Sequence, residues 1–185
     1  MVAVEEQIYT VEEYFDFCEI HEGLYEYVNG EIIEMAGETP VANLIAGNIH
    51  YFFRTVLKGR PFLMFQNAVK LMLGEGKTYR IPDMMVIHKE GVESKSVRQP
   101  ALIVEVLSEG TKDIDRRVKL VEYCQIESLQ YYLIISQDMC LIEIYRRVDK
   151  KWEFEFYTNL SDNISFSFFD TVLPLNDVYE NVEFE

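Results

Sequence analysis

Asp83 and Glu105 are single carboxylates in otherwise apolar runs, Ile81-Pro82-Asp83-Met84-Met85-Val86-Ile87 and Ala101-Leu102-Ile103-Val104-Glu105-Val106-Leu107. Each run reads as a buried strand, where a lone carboxylate is costly unless it is paired or ligates a cation. Two such strands side by side would converge on one hard divalent ion. An ion of that kind takes carboxylate oxygens and keeps positions open for water and a phosphate, as phosphodiester cleavage requires. The blander readings are Asp83 as a turn residue at the start of its strand and Glu105 as the partner of a buried Lys or Arg.

Such a centre also needs an ammonium to orient the attacking water and offset developing charge. Leu107 stands where a Glu-x-Lys pattern would place a lysine. The next helix offers a replacement: Asp115, Lys119 and Tyr123 are spaced by four and share one helix face. Lys119 could therefore point back toward Glu105, with Asp115 as an accessory acid. Lys112, Arg116 and Arg117 on the same helix form the chain's main basic cluster and are the candidate nucleic-acid contacts. His21, His50 and His88 are too dispersed for a zinc site, and no Ser/His/Asp or Cys/His arrangement stands out. Gly74-Glu75-Gly76-Lys77 lacks the glycines and Ser/Thr of a phosphate loop and reads as a turn.

The elements that would position these groups follow from periodicity and punctuation. Thr10 with Glu13 makes a capping box that opens a short helix. Asn29-Gly30 is a hairpin turn between strands at 24–28 and 31–35. Thr39-Pro40 starts the longest helical pattern, which carries Leu44, Ile45, Ile49, Phe52, Phe53 and Val56 as its apolar stripe. It ends at Gly59-Arg60-Pro61. Strands are expected at 62–65, 68–73, 82–88, 101–107 and 129–135, a polar loop at 89–99, and a helix at 111–123. The run at 101–107 is continuous enough for a central or parallel position. A hairpin at 140–147 and 152–157 follows, with Trp152 packing on an edge strand, and then an acidic, aromatic tail of edge strands and a terminal turn. This order predicts an α/β (α+β) fold, a mixed β-sheet with helices against its faces, a hairpin added at the N-terminal side and strands at the C-terminal side.

One domain is the natural reading of 185 residues. Hydrophobic residues make up 49%, which argues against a disordered chain. The net charge of −15 is unlike that of an avid nucleic-acid binder and predicts weak, salt-sensitive contact with any polyanion. Three scattered cysteines, an acidic N-terminus without a signal segment, and no run of membrane-spanning length point to a cytoplasmic protein. Phe154, Phe156, Phe166, Phe168 and Phe169 exceed what one small sheet face need bury, and predict a homodimer.

Pro82-Asp83, then Ile103-Val104-Glu105-Val106-Leu107-Ser108, then Asp115-x-x-x-Lys119-x-x-x-Tyr123, resembles the Uma-type restriction endonuclease family, a branch of the PD-(D/E)XK nuclease superfamily. Tyr25-Glu26-Tyr27-Val28-Asn29-Gly30-Glu31-Ile32 and Ile126-Glu127-Ser128-Leu129-Gln130-Tyr131-Tyr132-Leu133-Ile134 are similar to it as well. The resemblance implies a restriction-endonuclease-like core and Mg²⁺- or Mn²⁺-dependent DNA cleavage. It implies Asp83 and Glu105 as the metal carboxylates, Lys119 as the lysine migrated onto the helix, and Glu31 as a further acidic member of the site. Ala42 stands where members often carry a histidine. Ser108-Glu109-Gly110-Thr111 replaces their usual segment after the central Glu. These departures keep an alternative open, a catalytically inactive member that binds nucleic acid or protein and acts in regulation.

Overall fold

Thr10 accepts a hydrogen bond from the backbone N–H of Glu13, and Glu13 reaches back to the Thr10 N–H, so the capping box opens α1 (Val11–Ile20). The computed structural model describes residues 8–107 and 114–184. After α1 the chain enters a hairpin of β1 (Tyr25–Val28) and β2 (Glu31–Glu34). Asn29 and Gly30 both take positive φ, 51° and 103°, as this tight turn demands.

Thr39 caps α2 (Pro40–Val56) with its hydroxyl, and Pro40 occupies the first helical turn, where its missing N–H costs nothing. The next strands are β3 (Phe62–Gln66), β4 (Leu71–Leu73) and β5 (Thr78–Arg80), followed by β6 (Met84–His88) and β7 (Pro100–Leu107). The strand expected at 68–73 is shorter because Asn67 and Ala68 adopt left-handed φ of 46° and 57°, which breaks the ladder. β5 was not expected; three residues between a turn and Ile81-Pro82 leave too little alternation to read.

The helical stretch before α3 (Leu120–Cys124) is a π-helix over Ile114–Lys119. The rest of the expected helix, 111–113, lies outside the described residues, as do Lys112 and the segment 108–111. Then come β8 (Tyr131–Ser136), the hairpin β9 (Ile142–Val148) and β10 (Lys151–Tyr157), the small hairpin β11 (Asn163–Phe166) and β12 (Thr171–Pro174), and α4 (Leu175–Val178).

Strands β10-β9-β8-β7-β6-β3 form a six-stranded mixed sheet in which β7 and β8 are the parallel pair. β2-β1-β5-β4 form a second, antiparallel sheet. The pleat of the central strands divides the core. Val104, Val106, Met84, Val86, Leu133 and Ile135 pack with Ile45, Ile49 and Phe53 of α2. Ile103, Leu107, Met85, Ile87, Tyr132 and Ile134 pack on the opposite face with Tyr123 and Leu129. Each fully buried Ile, Leu or Phe contributes about 1.5–3 kcal/mol relative to exposure, so α2 is held chiefly by this stripe. Among the described residues no helix is long and apolar enough to cross a membrane.

The aromatic tail is used within the chain more than its sequence implies. Phe166 and Phe169 are fully buried, edge-on to Phe53 at ring-centroid distances of 5.3 and 5.5 Å. Phe154, Phe156 and Phe168 stay exposed. Trp152 lies on the outer strand β10, as expected, with the Arg147 guanidinium 4.5 Å from its ring centroid.

Candidate active site

Antiparallel β6 and β7 pair Met84 with Val104. One step further along the same register, Asp83 stands across from Glu105. Alternation carries both onto the sheet face that packs against the π-helix and α3, opposite the α2 face. Pro82 has no N–H to give, and Asp83 directs its side chain to β7 instead: Asp83 Oδ2 accepts from the Val106 N–H at 2.6 Å.

Glu105 is 3% exposed. Its Oε1 accepts from Lys119 Nζ at 2.9 Å and from the Tyr123 hydroxyl at 2.9 Å. Lys119 Nζ also lies 3.0 Å from Asp115 Oδ1 as an ion pair, although that oxygen gains no hydrogen bond of good geometry among the described residues. Asp115, Lys119 and Tyr123 are thus all buried against the sheet, as their spacing predicts. The π-helix that carries the first two is of the kind often found at functional sites. The Tyr132 hydroxyl donates to the Asp115 carbonyl at 3.1 Å and pins this turn to β8.

Glu31 is not brought to this cluster. It is exposed on β2, paired with Val28, and outside the cavity that the other acids line. Glu26, five residues earlier on β1, is there instead. Glu26 Oε2 accepts from Arg80 Nη1 at 2.7 Å, and Glu26 Oε1 accepts from the Ile81 N–H at 3.0 Å. Oε1 lies 3.9 Å from Lys119 Nζ. Arg80 turns its other edge to Glu122, with Nε and Nη2 each 2.8 Å from a carboxylate oxygen. The signal for Glu26 was the one that singled out Asp83 and Glu105: an acid alone in a strand, here between Tyr25 and Tyr27.

The cluster borders a cavity of about 280 Å³. Glu26, Asp83, Glu105 and Asp115 line it, with Glu34 and Glu38 also on its wall, against the cations Arg80 and Lys119. Burial pushes Asp83 up to about 7, although the Val106 N–H and the Lys119 charge pull the other way. Burial likewise pushes Glu105 up to about 8, reinforced by the charges of Asp83 and Asp115 and opposed by Lys119. Burial disfavours the Lys119 ammonium as well, but Glu105, Glu26 and Asp115 outweigh it and hold its pKa above that of an ordinary lysine. Lys119 is therefore a fixed positive charge among carboxylates that lack enough of it.

Such a donor set fits a hard divalent cation. Asp83 Oδ1 and Glu105 Oε2 accept no hydrogen bond among the described residues, while the other oxygen of each is fixed by the protein. Among the described residues no group of three or more His, Cys, Asp or Glu is placed to hold a metal ion. Two carboxylates would leave most coordination positions to water and substrate, as Mg²⁺ prefers.

Of the expected basic contacts, Lys112 lies outside the described residues. Arg116 is ion-paired with Glu143, its Nε 3.0 Å from Oε1, and Arg117 is exposed. Arg54 at the end of α2 and Lys58 just beyond it are exposed as well. Ala42 is buried at the N-terminal end of α2 and lines the cavity.

A family model, Uma2, described as "Putative restriction endonuclease", matches residues 11–176. An uncharacterized protein of Synechocystis sp. is 31% identical over 173 residues, covering 91% of this chain and 98% of that one. A second uncharacterized protein from the same organism is 28% identical over 140 residues, covering 75% and 74%. Among solved structures, an Anabaena variabilis protein described as a "putative nuclease belonging to DUF820" superposes with a TM-score of 0.73 at 19% identity. The match covers 92% of this chain and 97% of that one. Identity that low speaks to the fold alone: this chain shares the mixed α+β fold of that protein.

Proposed function

The chain belongs to the Uma2 family, and on that premise we propose that it is a divalent-metal-dependent endonuclease that hydrolyses phosphodiester bonds in DNA. The observation that carries this reading is the placement of Asp83 across from Glu105 on one sheet face, with Lys119 held on Glu105. Asp83 and Glu105 would hold Mg²⁺ or Mn²⁺. The ion, when bound, would polarise the phosphate and lower the pKa of a water.

The protein's own groups account for the rest. Lys119 and Tyr123 occupy Glu105 Oε1 and leave Oε2 for the cavity. The Val106 N–H does the same for Asp83. The Lys119 ammonium orients the attacking water and offsets the charge that builds on the phosphate. Asp115 is accessory, since it holds Lys119 in place. Contact with DNA rests on the few exposed cations, Arg117 among them, and is weak and strongly salt-dependent in a chain of net charge −15. Cys18, Cys124 and Cys140 form no disulfide and fit a reducing cytoplasm.

The test is cleavage of duplex DNA with Mg²⁺ or Mn²⁺, against chelator, for wild type and Asp83→Ala. Cleavage by wild type alone, abolished by chelator, supports the proposal. Equal cleavage by both proteins, or none by either while the DNA is bound, contradicts it; the second outcome would favour the non-catalytic binding role.

A further inference from the structure

The two oxygens of Glu26 have separate duties. Oε2 meets Arg80, whereas Oε1 meets the Ile81 N–H and approaches Lys119. Ile81 is two residues before Asp83. One carboxylate oxygen on β1 therefore reaches both arms of the centre: the backbone that leads into Asp83, and the ammonium that lies on Glu105. Glu26 is 5% exposed and lines the same cavity as those residues.

A salt bridge that served only to tie the smaller sheet to α3 would need Arg80 and one acid, and Glu122 of α3 already supplies that acid through two bonds. A second buried carboxylate on Arg80 is costly to desolvate unless it does something else. What it does is visible in Oε1. We propose that Glu26 is a positioning residue, setting residues 81–83 and the Lys119 ammonium in place relative to Glu105. The inference rests on the nuclease reading for its effect on turnover, but only on the metal centre for its effect on ion binding.

Glu26→Gln keeps an acceptor for the Ile81 N–H and removes the charge that faces Lys119. Glu122→Gln weakens the other side of Arg80 without touching residues 81–83 or Lys119. Calorimetry with Mn²⁺ alone, and cleavage kinetics on a DNA duplex, compare both with wild type. Loss of an outer partner of a metal site typically costs about 10- to 100-fold in affinity or activity. Glu26→Gln is expected to weaken Mn²⁺ binding about tenfold and to lower kcat by about 10- to 100-fold, with the KM for duplex unchanged. Glu122→Gln is expected to stay near wild type in both.

Equal losses in the two variants would reduce Glu26 to a structural brace and overturn the proposal, as would an unaffected Glu26→Gln. If Glu26→Gln fails to fold, the double replacement Glu26→Met, Arg80→Met removes the buried pair together and carries the same expectation. Wild type that binds Mn²⁺ but cleaves no duplex would defeat the nuclease reading alone, and the Mn²⁺ comparison would still decide the role of Glu26. Wild type that binds no Mn²⁺ would overturn both.

Discussion

Asp83 Oδ2 accepts a 2.6 Å hydrogen bond from the backbone N–H of Val106, the residue that follows Glu105. The bond locks the Asp83 side chain to the strand that carries the other acid, so the two carboxylates cannot drift apart without breaking it. On the other side, Lys119 and Tyr123 both hold Glu105 Oε1. Each acid is thus fixed by one oxygen, and each is expected to offer a metal its other one. Preorganisation of this sort is what makes a two-carboxylate centre usable.

The acids set a pH dependence whose sign follows from their burial. Asp83 is pushed up to about 7 and Glu105 up to about 8, from ordinary values of 3.8 and 4.5. The folded, metal-free protein holds protons that the unfolded chain has released. Its stability is therefore fully present below the ordinary values and falls as pH rises through about 7 to 8. Metal binding needs the ionised carboxylates, so Mn²⁺ affinity should rise across the same window. Thermal unfolding with and without Mn²⁺, over a pH series, should show the metal-free midpoint falling and the Mn²⁺-dependent increment growing. A metal-free midpoint that climbs between pH 6 and 8 would count against this account.

Lys119→Ala should lower turnover by on the order of 10²–10³-fold, the usual loss for one charge-stabilising group. Mn²⁺ affinity should change much less, because Lys119 is not a ligand. The variant should also be less stable, since Glu105 and Asp115 lose the cation they share. Adding Leu107→Lys in that background should recover little. Leu107 is 3% exposed in the core on the Glu105 side of the sheet, so a lysine there displaces packing. Single-turnover cleavage beside calorimetry separates these effects, and unchanged turnover in Lys119→Ala would remove this residue from the mechanism.

Much of this site was legible in the sequence because its signals are local. Asp83 and Glu105 stand out against apolar neighbours, and Lys119 with Tyr123 shows by spacing alone. Asn29-Gly30, Thr10 with Glu13, and Thr39-Pro40 specify their own turn and helix starts. Glu26 and Glu31 were harder to separate, because each sits in a short strand beside the same turn. Only the pairing of β1 with β5, a strand of three residues, turns Glu26 rather than Glu31 toward Arg80. The left-handed pair Asn67 and Ala68 carries no glycine to announce it. The π-helix at Ile114–Lys119 keeps the spacing of an α-helix on paper, so its wider winding could not be read from the residues.

The same distinction between local and long-range signals bears on oligomeric state. Phe166 and Phe169 are spent on Phe53 and no longer argue for a partner. Phe154 and Phe156 remain 52% and 62% exposed on β10, the outer strand of the six-stranded sheet. A homodimer, if it forms through this strip, should scatter light at twice the monomer mass at micromolar concentration. Phe154→Glu with Phe156→Glu should return it to the monomer. A monomeric wild type would end the dimer proposal without touching the metal centre.

The central claim is that Asp83 and Glu105 share one divalent ion. Crystals soaked in Mn²⁺ and measured at its absorption edge test it directly. The account predicts one anomalous peak at which Asp83 and Glu105 would each supply a carboxylate oxygen, with waters as the remaining ligands. The peak should be absent in Asp83→Ala. A Mn²⁺ peak elsewhere, or none beside two ordered and unbridged carboxylates, would contradict it.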